Sequence, residues 1–393
     1  MSGTLLLCHR IPYPPNKGDK IRSYHILKML QELGPIYLGA FVDEEQDRQY
    51  ESYLQSLVAK GFFPFLNKRA SLMRAGWGFL RGKALSVPYY YRSDMQGWID
   101  DILATHQPDN ILVYSSVMAQ YVINAHAKIK IVDFVDVDSD KWQQYGQRQR
   151  GIKSWIYQRE AEKLAQYEGK IAKQFDASFF VAQEEANLFR QRHVDITRQV
   201  YHFDNGVDID YFDPSLQYQD PIEKEMTLVF TGAMDYWPNV DAVVWFATTI
   251  FPLIRNRLPS AQFIIVGGNP SDEVLALETI DGIQVTGRVS DVRPYLKFSG
   301  LSVAPLRVAR GVQNKVLEAL AMNVPVVATP AAAVGLRQPF SKAMSICDSP
   351  EQFADQCVER LQNKNPATGR DYVTSNYLWS HNLEPLKKAL VNA

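Results

Sequence analysis

In the run RGVQNKVLEALAMNVPVVAT, from Arg310 to Thr329, a glycine loop leads into a short amphipathic stretch and then into an apolar one. A helix beginning near Val312 or Gln313 would aim free N–H groups and the positive end of its dipole back at the loop. Gly311 lets the loop turn, Asn314 falls in the first helical turn, and Arg307, Arg310 and Lys315 add full positive charge beside it. That set suits a diphosphate. Glu318, about two turns in, is placed to accept hydrogen bonds from vicinal hydroxyls such as those of a ribose, as an acid does in dinucleotide-binding folds. The same spacing also allows a plain intrahelical ion pair between Lys315 and Glu318, and the residues alone leave both readings open.

Two further stretches carry residues of the right type. In RIPYPPNKGDKIRSYHILKML the prolines end an opening strand, and Gly18 allows a close backbone approach at the start of a helix surrounded by Lys17, Lys20 and Arg22. This is an anion site or ordinary turn chemistry. In VDFVDVDSDKW, Asp133, Asp136 and Asp138 fall at the carboxyl end of a strand, where ligands approach open α/β sheets. Asp136 and Asp138 share a face by the period of two, so they are candidates to bind a cation or to receive a hydroxyl proton. The plain alternative is a solvated strand end and a helix cap.

Charge is distributed unevenly. Between Glu51 and Asp94 there is no acidic residue, while Lys60, Lys68, Arg69, Arg74, Arg81, Lys83 and Arg92 are interleaved with Phe62, Phe63, Phe65, Leu72, Trp77, Phe79, Leu80 and Tyr89 to Tyr91. A basic, aromatic, amphipathic segment over 60–92 suits an anionic membrane surface. A partner protein is the second reading. The formal net charge of −1 over 393 residues gives no general case for nucleic acid.

These residues need elements to hold them. Short apolar runs (TLLLCH, IYLGAFV, NILVYSS, KIKIVDFVDV and ASFFVA, then MTLVFTGAM, AQFIIVGG, IQVTGRV, LSVAPL and VPVVAT) alternate with longer amphipathic ones. Continuous apolar strands separated by helices predict buried parallel sheets, and the length predicts two doubly wound α/β domains facing across a cleft. The break is expected near HFDNGVDIDYFDPSLQYQDPIEKE, giving domains at 1–205 and 206–375, with a last amphipathic helix at 376–393 joining the first. Cys8, Cys347 and Cys357 have neither CxxC nor metal-ligand spacing, which predicts no disulfide framework, no zinc site and a reducing, cytoplasmic setting. The opening segment is too polar for a signal peptide, and no apolar run approaches the roughly 20 residues of a spanning helix.

Taken together, the glycine loop, DNGVD at 204–208, FTGAMDYWPNVDA at 230–242 and GVQNKVLEALAMNVPVVAT resemble the GT-B glycosyltransferases of family 4, the retaining nucleotide-sugar transferases. More narrowly, LLLCHRIPYPPNKGDKIRSYHILKML with LGAFVDEEQD resembles the sugar transferases associated with exosortase/PEP-CTERM exopolysaccharide loci. The resemblance implies that Gly18 admits the donor phosphates or the acceptor, that Lys315 lies near the diphosphate, and that Glu318 binds the nucleotide ribose. It departs in three places. Arg310 stands where the family usually has a Glu that contacts the donor sugar. The loop after Gly232 offers Ala233, Met234, Pro238 and Asn239 where many members carry an Arg and a Lys, so Arg288, Arg307, Arg310 and Lys315 become the candidate cations. The first-domain histidine that often faces the sugar is replaced by the VDFVDVDS region, which puts Asp136 or Asp138 there.

The implied reaction moves a hexosyl unit from a UDP- or GDP-linked sugar to an acceptor hydroxyl with retained configuration. It needs no metal and no protein nucleophile, since the leaving diphosphate is stabilised and the acceptor oriented. The expected acceptor is a glycan carried on a polyprenyl diphosphate at the inner face of the plasma membrane, in exopolysaccharide or surface-polysaccharide synthesis. The rival readings are a nucleotide-sugar epimerase of the same architecture and a degenerate, non-catalytic scaffold in a polysaccharide assembly complex.

Overall fold

The computed structural model describes residues 3–222, 226–309, 311–363 and 369–391, with the backbone alone at 197–199. The chain divides into two compact units, Met1–Asp204 with Leu383–Ala393, and Asn205–Asn382.

The first unit is built on seven parallel strands: β1 Thr4–Cys8, β2 Ile36–Ala40, β3 Lys60–Phe62, β4 Asn110–Tyr114, β5 Ile129–Val135, β6 Ala177–Phe180 and β7 Val200–His202. Their order is β3-β2-β1-β4-β5-β6-β7. Leu5, Leu6 and Leu7 are all fully buried. A strand apolar on both faces is stable only with helices covering both, which is why these runs do not alternate. The helices that matter below are α1 Gly18–Gln31, α2 Lys68–Leu80, α3 Asp138–Arg148 and α4 Gly151–Gln174.

The second unit repeats the plan with β8 Thr227–Thr231, β9 Gln262–Val266, β10 Ile283–Gly287, β11 Leu301–Ala304, β12 Val326–Ala328 and β13 Met344–Ile346. The order is β10-β9-β8-β11-β12-β13, again parallel. Helices α5 Trp237–Trp245 and α6 Asn314–Ala321 flank its carboxyl edge. In α6 the residues Val316, Leu317 and Leu320 are buried in the core, which orients the helix and leaves Lys315 and Glu318 half-buried at its side.

In each sheet the winding reverses once, between β1 and β4 in the first and between β8 and β11 in the second. Loops leaving adjacent strands in opposite directions open a crevice at such a point. Two expectations about elements are corrected. β3, β7 and β13, each three residues long at a sheet edge, were not among the expected strands. The closing stretch is not one helix but three, Gly369–Asn376, Trp379–Asn382 and Glu384–Val391, because Leu378 pairs as an isolated bridge with Val207 and interrupts the helical ladder.

Candidate functional site

The best-formed arrangement lies at the reversal point of the second sheet. β8 ends at Thr231 and the chain turns at Gly232, whose carbonyl oxygen would lie 1.7 Å from a β-carbon at Gly267. Only glycine at 267 lets the β8 and β9 loops pass so closely. A β-carbon on Gly232 itself would meet Asn239 Nδ2 at 2.7 Å and Lys315 Nζ at 3.1 Å. Lys315, on the first turn of α6, donates to Asn239 Oδ1 at 2.6 Å, and its ammonium lies 4.0 Å from the centre of the Phe230 ring. Asn239 in turn donates from Nδ2 to the Ala233 carbonyl at 2.9 Å. The lysine is therefore aimed over the end of β8 by a neighbour that fixes its direction without neutralising it.

The start of α6 has no side-chain cap: Gln313, at the N-cap, makes no cap bond, and Asn314 Oδ1 is buried with no hydrogen-bond partner. Gly311, with φ +59, carries the loop past Gly335, where a β-carbon would meet the Gly311 carbonyl carbon at 2.4 Å. An uncapped helix start beside a directed ammonium has the dipole and charge that an anion would need. Burial lowers the Lys315 ammonium to about 7 and raises the Glu318 carboxyl to about 7, each opposed by the other's charge.

The other expected cations divide. Arg288 borders Gly268, its Nε 3.3 Å from where a β-carbon would sit, so it stands beside the same turn. Arg307 is committed elsewhere: its Nε donates to Asp241 at 3.0 Å and its guanidinium lies 5.5 Å from the Trp245 ring centre, both on α5. Arg310 lies outside the described residues.

At the edge of the first sheet the expectations change more. Arg22, expected beside an anion, is fully buried and binds Asp133 through Nε at 2.7 Å and Nη2 at 3.2 Å, with further bonds to the Phe203 and Phe180 carbonyls. Lys20 is buried against Asp47, and Lys17 pairs with Glu44 at 2.5 Å. Arg22 pins α1 to β5, and Lys20 and Lys17 tie its start to the segment that follows β2, instead of facing a ligand. Gly18 opens α1 with no atom within 4 Å of where its β-carbon would sit.

Asp136 and Asp138 do not share a strand face. The register of β5 shifts between Asp133 and Val135, Val135 has φ +71, and Asp138 already opens α3. A β-branched residue in that conformation is strained. The break turns both carboxylates to Lys141, at 2.6 Å from Asp136 and 3.4 Å from Asp138. Despite the cost of burying it, the Lys141 ammonium is held well above its usual range by the two carboxylates. The pair already has its cation. Among the described residues no group of three or more His, Cys, Asp or Glu side chains is placed to hold a metal ion.

The basic aromatic segment resolves into two kinds of residue. Arg74 and Arg92 are tied down inside the unit, to Ser71 and the Tyr89 carbonyl and to Asp94 and the Phe65 carbonyl. Tyr91 stacks on Tyr121 and Phe62 on Trp98. What remains outside is one face of α2, where Leu72, Met73, Trp77 and Leu80 are each at least 60% exposed. The start of α4 continues this face: Trp155 meets Phe79 edge-on, Ile152 is exposed, and Arg159 donates to the Phe79 carbonyl at 3.0 Å. From Lys141 to Arg159 the chain again has no acid, with Arg148, Arg150 and Lys153 in that stretch. Among the described residues no helix is long and apolar enough to cross a membrane.

Residues 225–363, which include Lys315 and Glu318, match the family model described as glycosyl transferases group 1. No match was found among curated proteins. Among solved structures, Anabaena HepE in complex with UDP matches with a TM-score of 0.67 at 11% identity, covering 100% of each chain. A glycosyltransferase from Rickettsia africae matches at 0.64 and 14% identity over 100% of this chain and 99% of that one. Sucrose-phosphate synthase from Thermosynechococcus elongatus matches at 0.64 and 13%, over 98% of each. The fold is that of the GT-B glycosyltransferases, and the match of residues 225–363 to a group 1 glycosyl transferase model supports a transferase.

Proposed function

We propose that this glycosyltransferase moves a hexosyl unit from a nucleoside diphosphate sugar to a glycan acceptor with retention of configuration. The observation that carries the reading is the uncapped start of α6 with Lys315 directed over Gly232 by Asn239. In this assignment the helix start, Lys315, Arg288 and the Gly311–Asn314 loop take the diphosphate. Glu318, one turn further along α6, takes the ribose hydroxyls, and the Gly232 turn leaves room for the donor. UDP is the first nucleotide to test, because the solved HepE complexes hold UDP and UDP-glucose; GDP is the second.

Stabilisation of a leaving diphosphate by fixed dipoles and an ammonium requires no protein nucleophile and no metal. Asp136 and Asp138, with Lys141, remain the acceptor-side candidates. The exposed faces of α2 and α4 suit an anionic membrane, and with it a polyprenyl-diphosphate-linked acceptor at the inner face of the plasma membrane in exopolysaccharide synthesis. The family 4 and exosortase-associated placement rests on the sequence resemblance of the opening segment.

Calorimetric titration of UDP, GDP and ADP into the protein and into Glu318→Ala tests the donor site. Selective binding of one nucleotide, weakened by the substitution, is the expected result. Absence of binding to all three would replace the reading with a non-catalytic scaffold, and turnover of the nucleotide sugar without an acceptor would replace it with an epimerase.

A further inference from the structure

An uncharged residue, Asn239, sits at the point where Lys315 is held. It is the third residue of α5 and is 7% exposed. Its backbone N–H donates to the Tyr236 carbonyl at 2.9 Å, its Nδ2 donates to the Ala233 carbonyl at 2.9 Å, and its Oδ1 accepts from Lys315 Nζ at 2.6 Å. Ala233 decides which way the amide faces. A carbonyl oxygen only accepts, so the amide NH2 must point to it and the amide oxygen to the lysine. That orientation holds whether Lys315 is an ammonium or an amine, because either form donates.

The fixed oxygen in turn fixes the lysine. A lysine side chain is a flexible stem ending in a point charge, and it keeps one direction only when a partner holds it. Among the described residues Asn239 is the one hydrogen-bond partner of Lys315, and the Phe230 ring centre lies 4.0 Å from the ammonium. A β-carbon on Gly232 would meet both members of the pair, Asn239 Nδ2 at 2.7 Å and Lys315 Nζ at 3.1 Å. The glycine after β8, the amide of α5 and the ammonium of α6 therefore pack as one unit.

The chemistry at position 239 matters as much as its place. A carboxylate there would accept the same hydrogen bond and cancel the charge it holds. An apolar side chain would leave the charge whole and its direction free. The amide does neither. We infer that Asn239 is a positioning residue of the donor site: it sets the direction of Lys315 and, as a neutral acceptor, leaves the full ammonium charge for the diphosphate. The donor label rests on the reading of the start of α6 as the nucleotide site; the control over Lys315 rests on these contacts.

The test is a double-mutant cycle on the full chain, with UDP as the probe and saturation-transfer NMR, which reads weak binding, as the measurement. While Lys315 is present, Asn239→Ala should weaken UDP roughly 3- to 10-fold, the worth of one hydrogen bond. In a Lys315→Met background, where nothing is left to position, it should change UDP affinity by less than about twofold. Asn239→Asp should weaken UDP at pH 7 and, because its carboxylate favours the ammonium, carry the fall of affinity with pH to higher values. Equal losses from Asn239→Ala in both backgrounds would make Asn239 a structural residue and overturn the inference. So would no loss in the first background, or an unmoved pH profile in Asn239→Asp. A second measurement needs no nucleotide: competitive labelling with acetic anhydride, read by mass spectrometry, gives the pH at which the Lys315 amine becomes nucleophilic. Asn239→Asp should raise that pH, and an unchanged value would overturn the inference. The rise in a protein that binds none of UDP, GDP and ADP would uphold the control of Lys315 by Asn239 and remove the donor reading.

Discussion

Replacing Lys315 by methionine removes one ammonium while keeping an unbranched side chain of similar reach over Phe230. An ammonium about 4 Å from a phosphate oxygen, at an effective dielectric near 20, is worth roughly 4 kcal/mol before desolvation is subtracted. A net loss of about 2 to 4 kcal/mol follows, equal to roughly 30- to 1,000-fold in UDP affinity at pH 7. The pH dependence is a sharper signature. Because burial lowers Lys315 to about 7, the free protein holds a largely neutral amine above that value and must take up a proton to bind a diphosphate. Affinity should then fall up to about tenfold per pH unit between pH 7.5 and 9, where the diphosphate's own last proton is already gone. Lys315→Arg keeps its charge throughout and should bind with no such slope. Glu318, raised to about 7 by burial, ionises below this window and as an anion favours the ammonium, so Glu318→Gln should move the onset of the fall to lower pH. Calorimetry in buffers of different ionisation enthalpy counts the proton taken up. A flat UDP affinity from pH 7.5 to 9, or a Lys315→Met protein that binds UDP within twofold of the original at pH 7, would refute the assignment.

Three further outcomes are expected. Arg22→Met strands the Asp133 carboxylate, whose pKa burial already raises against the pull of Arg22, and should cost about 3 to 5 kcal/mol by urea unfolding; an Arg22→Met, Asp133→Leu double variant should recover much of this, and equal stability of both would contradict a buried pair. Burial pushes Glu168 up to about 8 against the bonds it accepts from Ser139, so the folded chain keeps a proton that the unfolded chain loses above pH 4.5. Stability should therefore fall as pH rises from 4.5 to 8, by at most roughly 5 kcal/mol, and Glu168→Gln should flatten that limb; an unchanged slope in the variant would place the titration elsewhere. The chain should sediment with phosphatidylglycerol vesicles at low salt and release as ionic strength rises, with Trp77→Glu and Trp155→Glu each weakening it; equal binding to neutral vesicles at all salt concentrations would argue against the α2 and α4 face.

The parallel sheets were legible because a strand buried on both faces must be apolar throughout, and Leu5 to Leu7 or Phe263 to Val266 can be little else at that length. The edge strands were not. Lys60–Phe62 reads as part of a basic segment because an edge strand with one exposed side carries no continuous apolar signal. The closing residues read as one amphipathic helix because the bridge from Leu378 to Val207 depends on a partner 171 positions away, and periodicity reports only local neighbours.

The same division between local and distant information governs the site. Lys315 and Glu318 could be singled out from one short run, since a helix fixes where residues three apart point. Asn239, which accepts a hydrogen bond from the lysine, lies 76 positions earlier and reads in sequence merely as a residue lacking charge. Arg22 shows the reverse error: at a helix start it looks like an anion ligand, until Asp133, 111 positions on, makes it a buried staple. Asp136 and Asp138 fit a period of two until Val135 breaks it, and no propensity would assign a β-branched residue a φ of +71.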